Sequence, residues 1–550
     1  MCLPNSSPLF SSFLLRITVF AVAICSAVGG AFGLPEAPRT TLAVHPTSAV
    51  VTGASHRVDS TAAFQAALDG AKPGDEIVLE AGRLFIGNFT LPRKTGTGWI
   101  TIRSSATEKL PAEGARVSPK DAAAMPKIVS PNDRPALATA PGAAFYRLVG
   151  LEITQAENVP YNYGLVELGG APKAADQTPH DLILDRLYIH ANPQAALKRG
   201  IGLNSAATVI ANCYISDCHV DGQDAQAIGG FSGPGPFKIV NNYLEGSGEN
   251  VMFGGADPTL PDLVPSDIEI RGNHFFKPLS WRKQEPQFAG KAWTVKNLLE
   301  LKNARRVLIE GNVLEYSWAH GQVGFALLLT PRNQGGKAPW CTVEDVAFVN
   351  NIVRHCSSGI AIAGEDDNHR SQNTKRILFR NNLFEEINPT RWGGDGRLIQ
   401  LTSPRGPIEE LVIERNTMLH GGRGNTFICM GGKGSVVRGL VFRNNIVTRG
   451  QYGIHGDGKG SAQAALSAYC SEYLCAGNLI IGAGAAQGYP ANNHFAKTLD
   501  EVGFRNPPSG DYGLKADSPW RRRGTEGQDV GADMDAIVKA TAGAVSGLWP

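Results

Sequence analysis

The chain has 550 residues and a formal net charge of +2 at pH 7, and only 19% of its residues are charged. This charge gives no broad basic surface for nucleic acid, so no nucleic-acid partner is expected. A single hydrophobic core stops growing well below this length, whereas a stack of repeated units can extend without limit. The 64 glycines and 34 prolines suit the many tight turns of such a stack.

Residues 1–33 have the features of a signal peptide. Arg16 precedes an apolar run over residues 17–28, and Ala31 and Gly33 supply small residues for a cleavage site. The run is too short to span a bilayer, and no later stretch reaches the required length. We therefore expect a soluble exported protein without a membrane span, either secreted or located in the periplasm or at the cell surface.

Short apolar runs separated by Asn or Gly turns begin near residue 58 and continue to residue 503. In residues 237–282 the run FKIV, an Asn pair and the run YLEG are followed by VMFGG, a loop, IEIRG, Asn273 and HFF. Runs of this length that are rich in β-favouring residues form strands, because a helix needs a longer segment. The pattern predicts three short strands in each turn of a coil.

One Asn position recurs at intervals of 29 to 39 residues. Its members are Asn212, Asn242, Asn273, Asn312, Asn351, Asn382, Asn416 and Asn445, with Arg186 as an early variant and Asn478 as a last member. Asn tolerates the left-handed backbone region, and its amide can bond to the same turn in neighbouring coils. A fixed turn with variable loops is typical of a solenoid. We predict an all-β parallel β-helix with stacked Asn side chains.

The segments that flank the repeats differ from them. We interpret residues 34–57 as a linker. We interpret residues 504–550 as a C-terminal segment that closes the end of the solenoid. Phe64 and Leu68 share one face of a predicted helix that begins after Asp59. Because the open end of a strand stack would template aggregation, we interpret this helix as an N-terminal cap.

Seven of the nine cysteines lie outside the predicted leader, so at least one thiol has no intramolecular partner. Cys470 and Cys475 flank a short loop, and in an oxidising compartment they are the favoured disulfide. Cys213 and Cys218 can pair in the same way or stack as small core residues. No group of Cys and His residues has the spacing of a zinc site.

The segment "AKPGDEIVLEAG", the repeated Asn turns and the ending "SGDYGLKADSP" resemble the right-handed parallel β-helix proteins of the pectate-lyase-like superfamily. The resemblance extends over residues 58–530 and implies a right-handed parallel β-helix. Proteins with this scaffold include lyases, hydrolases, esterases and binding proteins. The resemblance therefore implies a fold without assigning one activity.

Two segments, "NNYLEGSGENVMFGG" and "NHFFKPLSWR", are similar to pectate lyases in particular. By position, this similarity implies that Arg282 is the proton-abstracting arginine, and it places Asn250 where the family has a lysine. The calcium-binding carboxylates of the family correspond to Asp221 and Asp224, which implies a Ca²⁺ site. Asn250 lacks the positive charge of the family's lysine, and the family's prolines and basic residues after the tryptophan are missing.

The chemistry of a lyase explains these residue types. Removal of a proton α to a uronate carboxylate requires that the carboxylate charge be neutralised by Ca²⁺, Arg or Lys. Arg282 can act as a base only in a dry, electropositive site, to which Lys277, Lys283 and Lys296 would contribute. His274 is an alternative base, because an imidazole titrates near neutral pH.

Each of these residues also has a structural interpretation. Arg282 can pair with Glu285, and His274 directly follows an Asn turn. Asp221 and Asp224 can form an Asx turn that holds no metal. The sequence leaves these alternatives open.

Glycoside hydrolysis is the competing enzyme class, and it needs carboxylates on both sides of a cleft. The candidates are Glu249, Asp257 and Asp262 from one loop region and Glu365, Asp366 and Asp367 from "IAGEDDNH". The ordered motifs of polygalacturonases are missing from the sequence. This hypothesis therefore depends on the density of carboxylates alone.

Aromatic residues concentrate in the longest loops. The longest Asn-to-Asn intervals, 39 residues each, are those on either side of Asn312. In or beside the long loops lie Trp281, Trp293, Trp318, Trp340 and Trp392, with Tyr316. Flat aromatic faces stack on sugar rings, although they can equally pack loops onto the solenoid. We predict that Trp281, Trp293 and Trp318, with Asn250 and Asp257, contact substrate in one groove.

These observations lead to one prediction of function. The protein acts on, or binds, a polysaccharide or oligosaccharide through a groove built by the loops between residues 245 and 395. Arg282, His274, Glu249 and Lys283 are the candidate catalytic residues. A polyuronate lyase is the first hypothesis, a glycoside hydrolase the second, and a non-catalytic carbohydrate-binding solenoid the alternative from another class. We expect a monomer.

Overall fold

The structure is a computed structural model and describes residues 33–549. The predicted signal peptide over residues 1–33 lies outside the described residues, apart from Gly33. No helix within residues 33–549 is both long and apolar enough to cross a bilayer.

The chain winds into a parallel β-helix with three long sheets, which we call sheets A, B and C. Each regular coil adds one strand to sheet A, then one to sheet B and then one to sheet C. Sheet A has 14 strands: Ser55–Val58, Glu76–Leu79, Ile100–Ser104, Ala144–Val149, His180–Asp185, Ala206–Ala211, Gly235–Val240, Ser266–Arg271, Ala304–Glu310, Val343–Val349, Lys375–Arg380, Ile408–Glu414, Val437–Arg443 and Tyr473–Ala476.

Sheet B has 14 strands: Leu84–Ile86, Lys127–Ser130, Glu152–Gln155, Tyr188–His190, Tyr214–Cys218, Tyr243–Gly246, His274–Phe276, Val313–Ser317, Ile352–Cys356, Leu383–Ile387, Thr417–His420, Ile446–Thr448, Leu479–Ile481 and His494–Ala496. Sheet C has 13 strands: Phe89–Leu91, Leu137–Thr139, Val166–Leu168, Arg199–Leu203, Gln226–Gly230, Glu249–Phe253, Leu299–Leu301, Phe325–Leu329, Ser358–Ala363, Arg397–Ser403, Thr426–Gly432, Gly453–Gly456 and Gly460–Ser461. The last pair of sheet C is antiparallel. The predicted parallel β-helix is confirmed.

Short elements complete the described part of the chain. Two further strand pairs are Tyr161–Asn162 with Ala196–Leu197, and Phe504–Asn506 with Asp511–Leu514. The α-helices are Thr61–Gly70, Pro389–Trp392, Gln463–Tyr469 and Met534–Thr541. The 3₁₀ helices are Thr107–Lys109, Pro119–Ala124, Ala175–Gln177, Leu279–Trp281, Ala485–Gln487, Asp500–Val502, Pro507–Ser509 and Thr525–Gly527.

Strand residues alternate between the interior and the outer face of the solenoid. In sheet B, Leu244, Phe275 and Leu314 are register partners in three successive coils, and all three are completely buried. Such stacks join into one continuous core along the solenoid. Short apolar runs therefore suffice to form strands, because each coil buries its apolar side chains against the next coil.

The Asn ladder lies at the turn from sheet A to sheet B. The backbone N–H and Nδ2 of Asn242 donate to Oδ1 of Asn273 at 2.9 and 3.0 Å, and Asn273 donates in the same way to Asn312. The ladder continues through Asn351, Asn382, Asn416, Asn445 and Asn478 to Asn493. The predicted alignment of these side chains is confirmed.

Two predicted members of the ladder are wrong. Arg186 and Asn212 adopt the left-handed conformation, with φ of 55° and 58°, as does Asn241 with φ of 54°. Each lies one position before the ladder residue. Cys213 holds the ladder position of its coil, and its N–H donates to Oδ1 of Asn242 at 2.9 Å. The turn therefore uses two consecutive residues, the first for the left-handed backbone and the second for the side-chain ladder.

The segment predicted as a linker lies along the outer face of sheet A. The backbone N–H of Arg39 donates to Oδ1 of Asp267 at 2.8 Å, and Nζ of Lys238 donates to the carbonyl of Leu42 at 2.9 Å. Because both partners are strand residues of sheet A, this segment is held in place by the solenoid.

The predicted N-terminal helix is present over Thr61–Gly70. Phe64 and Leu68 are completely buried, and the Phe64 ring lies 4.5 Å from the ring of Phe89 in the first strand of sheet C. The helix contacts the first strands of all three sheets. Its role as a cap stays a prediction.

The C-terminal segment runs back along the turn from sheet A to sheet B. The backbone N–H of Asp533 donates to Oδ1 of Asn381 at 2.6 Å, and Nδ2 of Asn241 donates to the carbonyl of Gly547 at 3.1 Å. The helix Met534–Thr541 lies between these two contacts in the chain. The predicted closing segment therefore also covers the outer edge of the Asn ladder.

The seven cysteines within residues 33–549 are free thiols. The predicted Cys470–Cys475 disulfide is therefore wrong, and the thiol of Cys470 contacts Sδ of Met430 at 3.8 Å instead. Cys213 and Cys218 are completely buried in the core. The interpretation of that second pair as small core residues is confirmed.

Candidate functional site

A cleft of about 750 Å³ lies on the outer face of sheet C. Residues at matching positions in neighbouring strands form a row along its floor. The row begins at Glu300 and passes through Leu328 and Gln400 to Cys429 and His455. Alternation along the strand places Glu300 in this row while Leu299 and Leu301 face the core. The cleft therefore lies on the rigid scaffold itself.

Glu300 and Lys302 form an ion pair on the cleft floor. They are two residues apart, so they lie on the same side of the strand, and Nζ of Lys302 lies 3.2 Å from Oε1 of Glu300. Nδ2 of Asn297 donates to the other carboxylate oxygen at 3.2 Å. The Glu300 side chain is only 2% exposed, whereas the Lys302 side chain is 16% exposed. Both residues line the cleft, and the side chain of Lys302 is the more exposed of the two.

Arg332 forms the next part of the cleft. Nη1 donates to Asp366 at 2.8 Å and to Asp367 at 2.6 Å. Asp366 is itself fixed, because it accepts hydrogen bonds from the backbone N–H groups of Asn333 and Asn368. The Arg332 guanidinium is thus held in one position beside the cleft, with further N–H groups available to an anion.

Glu365 adds a carboxylate to the same wall. Its side chain is almost completely buried, and Oε1 has no hydrogen-bond partner within the described part of the chain. Glu365 also lines a smaller adjoining pocket of about 370 Å³. A buried carboxylate oxygen without a partner is costly, and such groups are often found where a ligand completes the site.

Lys302, Arg332 and Glu365 come from three consecutive coils. Each follows the end of its strand in sheet C, after Leu299–Leu301, Phe325–Leu329 and Ser358–Ala363. Neighbouring strands lie about 4.8 Å apart, so the backbones of Lys302 and Glu365 are separated by roughly 10 Å with Arg332 between them. All three side chains line the same cleft.

The other end of the cleft is less charged. Arg397 pairs with Asp395 at 2.9 Å, and Cys429 and His455 lie beside each other in adjacent strands. Burial raises the pKa of the Cys429 thiol above its ordinary value. Among the described residues at this end, the pair of Arg397 and Asp395 is more exposed than that of Glu300 and Lys302.

The predicted catalytic Arg282 does not line this cleft. Its guanidinium is paired with Glu285 and donates to the carbonyl of Arg391, and it lies 5.0 Å from the centre of the Trp392 ring. The structural interpretation, a partner for Glu285, describes it correctly. With its charge neutralised, Arg282 lacks the electropositive setting that a basic arginine needs.

The predicted substrate-binding tryptophans are buried. Trp281, Trp293 and Trp318 form a cluster with Trp392, which we call the tryptophan cluster, and none is more than 4% exposed. Trp293 stacks on His219 with ring centres 3.9 Å apart. Their prediction as sugar-stacking residues is wrong, because protein atoms already cover the ring faces. They pack the long loops onto the solenoid.

His274 and Lys283 are also separate from the cleft. His274 is buried on sheet B, and Nε2 lies 2.6 Å from Oε1 of Glu315, which also accepts from Nε of Arg354 at 2.6 Å. Burial alone would raise the pKa of Glu315, but its hydrogen bonds with His274 and Arg354 and the charge of Arg354 hold it at about 2. Lys283 is exposed on a loop. His274 therefore has a structural role as a hydrogen-bond partner of Glu315.

Glu249 and Asn250 point to opposite sides of one sheet C strand. Glu249 is completely buried on the outer side, and its Oε2 accepts from Nε2 of Gln226 at 2.7 Å. Burial, together with the nearby carboxylate of Glu300, raises the pKa of Glu249 to about 8. Asn250 points into the solenoid, where Lys277 donates to its Oδ1 at 3.0 Å. Asn250 therefore cannot contact substrate as predicted.

Asp221 and Asp224 do not fit a calcium site. The Asp224 carboxylate is paired with the ammonium of Lys296, while Asp221 is exposed. No cluster of three or more metal-binding side chains occurs within residues 33–549. A lysine ammonium occupies the position that calcium would need at Asp224, so we derive no step through calcium.

The hydrolase candidates divide into two groups. Glu365, Asp366 and Asp367 line the cleft. They follow the end of the strand Ser358–Ala363. Asp257 instead accepts from the backbone N–H groups of Gly335 and Lys337 at 2.9 and 3.1 Å, and Asp262 is exposed. Asp257 thus ties two loops together, which gives it a structural role in place of the predicted substrate contact.

Comparison with known proteins finds distant matches among solved structures only. No protein-family model and no curated protein matches the sequence. Among solved structures, a mannuronic acid specific family 6 polysaccharide lyase from human gut microbiota is 11% identical, with 82% of this chain and 83% of that chain covered and a TM-score of 0.42. An alginate lyase from Paenibacillus sp. str. FPU-7 is 12% identical, with coverages of 80% and 99% and a TM-score of 0.30. A pectate lyase is 11% identical, with coverages of 88% and 97% and a TM-score of 0.25. Because all three TM-scores are below 0.5, these matches carry no argument about this chain.

Proposed function

We propose that the protein cleaves an acidic polysaccharide by β-elimination in the cleft on sheet C. The observation that carries the proposal is the order of three charged groups on consecutive coils, with Arg332 between Lys302 and Glu365. In a uronate unit one carbon carries both the carboxylate and the acidic C–H bond, and the glycosidic oxygen is on the next carbon, so β-elimination needs a cation, a base and an acid in one site.

Arg332 binds the uronate carboxylate. Its fork of N–H donors suits a carboxylate, and Asp366 and Asp367 keep the guanidinium in place. Neutralising this carboxylate stabilises the negative charge that develops when the neighbouring proton is removed.

Glu365 accepts the proton from the carbon next to the carboxylate. Glu365 lines the cleft, and its Oε1 has no hydrogen-bond partner within residues 33–549, so we assign the role of base to this carboxylate. The electrons of the broken C–H bond form a carbon–carbon double bond, and the adjacent C–O bond of the glycosidic linkage breaks with its electron pair on oxygen. Lys302, whose ammonium is held beside Glu300, donates a proton to that oxygen.

The direct test is incubation with polyuronates of different composition. We expect ultraviolet absorbance of an unsaturated sugar product to increase, and we expect the Glu365→Gln variant to reduce turnover by about 10²–10⁴-fold, the usual size of a proton-transfer contribution. Asp262→Asn is the matched control, since that carboxylate is exposed and does not line the cleft. Absence of unsaturated product from any polyuronate would contradict the proposal.

Glycoside hydrolysis is the second candidate, and the pair of Glu300 and Glu365 favours it. Both carboxylates line the cleft, and their strands are two positions apart in sheet C, a backbone separation of roughly 10 Å. Inverting hydrolases place two carboxylates about 6.5–9.5 Å apart with water between them. New reducing ends without ultraviolet absorbance would favour this second candidate, while retention of polysaccharide without cleavage would favour a binding protein.

A further inference from the structure

Lys277 is completely buried inside the solenoid, an unusual position for a lysine. It directly follows the sheet B strand His274–Phe276, and its side chain reaches back to the preceding coil. Nζ donates to the backbone carbonyls of Gly246, Ser247 and Gly248, the last two at 3.1 and 3.2 Å. The fourth contact is Oδ1 of Asn250 at 3.0 Å.

All of these partners are acceptors. The orientation of the Asn250 amide is fixed, because its Nδ2 donates to the carbonyls of Leu244 and Phe276 at 2.6 and 2.9 Å. Its oxygen must therefore face Lys277. A neutral amine would direct its lone pair at one of these oxygens, whereas an ammonium offers three donors and no lone pair. The surroundings are thus those of a cation.

Burial nevertheless opposes the charge. It lowers the pKa of Lys277 to about 7, while the carboxylate of Glu249 on the other side of the strand acts in the opposite direction. An ammonium that stays in such a place must be stabilised by its oxygen shell. Rings of backbone carbonyls do the same for a dehydrated potassium ion.

Two of the carbonyls that accept from Lys277 also accept hydrogen bonds from backbone N–H groups of the next coil. The carbonyl of Ser247 accepts from the backbone N–H of Lys296 at 3.2 Å, and that of Gly248 accepts from Asn297 at 3.0 Å. Asn297 in turn donates to the carboxylate of Glu300. The ammonium is therefore connected to the cleft floor through one turn and one side chain.

We propose that Lys277 is a tethered monovalent cation in an oxygen-lined site, and that it fixes the turn over residues 246–250. Through this turn it acts as a positioning residue for Asn297 and Glu300. The second statement rests on the proposed function of the cleft, while the first does not. A free ammonium, alkylammonium or potassium ion is the class of ligand that fits the site once the lysine side chain is removed.

Chemical rescue tests this proposal. In Lys277→Ala the oxygens lose their partner, so we expect the melting temperature in sodium chloride to fall by several degrees. Ammonium or ethylammonium chloride at equal ionic strength is expected to restore more than half of that loss. Wild type and Lys283→Ala, the exposed lysine on the following loop, should melt at the same temperature in both salts. No recovery in ammonium would overturn the proposal.

A second variant covers other outcomes. Lys277→Met fills most of the space without a charge, so it is expected to melt below wild type and to show no recovery in ammonium. A methionine variant with wild-type melting temperature would contradict the need for a cation. If Lys277→Ala does not fold in sodium chloride, the refolding yield in ammonium against sodium replaces the melting temperature, and equal yields count against the site.

Turnover separates the two statements. If Lys277 positions Glu300, kcat of Lys277→Ala on a cleaved polysaccharide rises in ammonium in parallel with the melting temperature. Recovery of the melting temperature with kcat unchanged would support the cation site and reject the positioning role. If no substrate is cleaved at all, the proposed function fails, while the thermal measurement still decides whether the cation site exists.

Discussion

The cleft on sheet C and the tryptophan cluster are both rich in residues that bind sugars, yet they differ in what those residues already contact. Beside the tryptophan cluster, Arg282 is paired with Glu285, and the indole rings of the cluster are buried by other protein atoms. In the cleft, Lys302 and Arg332 are also paired with carboxylates, but both line open space, and Glu365 keeps an oxygen without a partner in residues 33–549. Chemical type alone therefore does not identify a site in a solenoid, because long loops need aromatic and charged residues simply to dock.

The largest expected effect is a difference in kcat/KM between substitutions of two lysines. Lys302→Met removes the proton donor proposed in the cleft, and we expect kcat/KM on a cleaved polyuronate to fall by about 10²–10⁴-fold. Lys283→Met makes the same change on the exposed loop beside the tryptophan cluster, and we expect less than a twofold change. Steady-state kinetics with both variants is the measurement. A large loss in Lys283→Met with normal activity in Lys302→Met would reverse the assignment.

A substitution in the tryptophan cluster should lower the stability of the fold and leave substrate binding unchanged. Trp293 is 2% exposed and stacks on His219, so Trp293→Ala creates a large cavity and is expected to cost about 3–5 kcal/mol. The free energy of unfolding in denaturant measures this cost. KM for polysaccharide should stay unchanged in the protein that remains folded. A higher KM at unchanged stability would mean that the ring stacks on sugar after all.

The Asn ladder gives a smaller effect that is independent of both regions. The buried amide of Asn312 exchanges hydrogen bonds with Asn273 and Asn351, so Asn312→Leu should destabilise by about 1–3 kcal/mol. Gln284→Leu on an exposed loop is the matched control. Thermal unfolding compares the two. An unchanged melting temperature of Asn312→Leu would show that the ladder adds no stability.

The fold could be predicted from the sequence because its signals are local and repeated. Each coil repeats short apolar runs and an Asn turn, so the register of Asn242, Asn273 and Asn312 follows from spacing alone. The exception is instructive. Asn212 satisfies the spacing within one residue, and only the structure distinguishes the left-handed position from the ladder position that Cys213 holds.

The candidate site could be predicted only in part. Glu365, Asp366 and Asp367 could be predicted from the density of carboxylates in "IAGEDDNH". Glu300 and Lys302 were missed, although "LELK" alternates apolar and polar residues and so predicts two charges on one outer face. The long loops instead favoured Arg282 as a catalytic residue. Whether a charge is free or paired depends on contacts such as Arg282 with Glu285 and Trp392, and those form only in the folded chain.

The smallest effect concerns His274, which the sequence offered as a base and the structure pairs with Glu315. The pKa of Glu315 is held at about 2, below the ordinary value of 4.5, so the unfolded chain takes up the proton at a higher pH than the folded chain. This contribution to stability is fully present above about pH 4.5 and is lost as the pH falls towards 2. Glu315→Gln does not titrate, so its free energy of unfolding should fall less than that of wild type over this range.

Denaturant unfolding at several pH values between 2 and 5 measures this difference, with the exposed Glu472→Gln expected to follow wild type. Turnover of Glu315→Gln at neutral pH should stay within about twofold of wild type, because neither His274 nor Glu315 lines the cleft. If turnover falls by the 10²–10⁴-fold expected for a lost base, the histidine pair belongs to the chemistry and the contrast between the two regions does not hold. If turnover is retained while the acid sensitivity decreases, the pair stabilises sheet B, as its burial indicates.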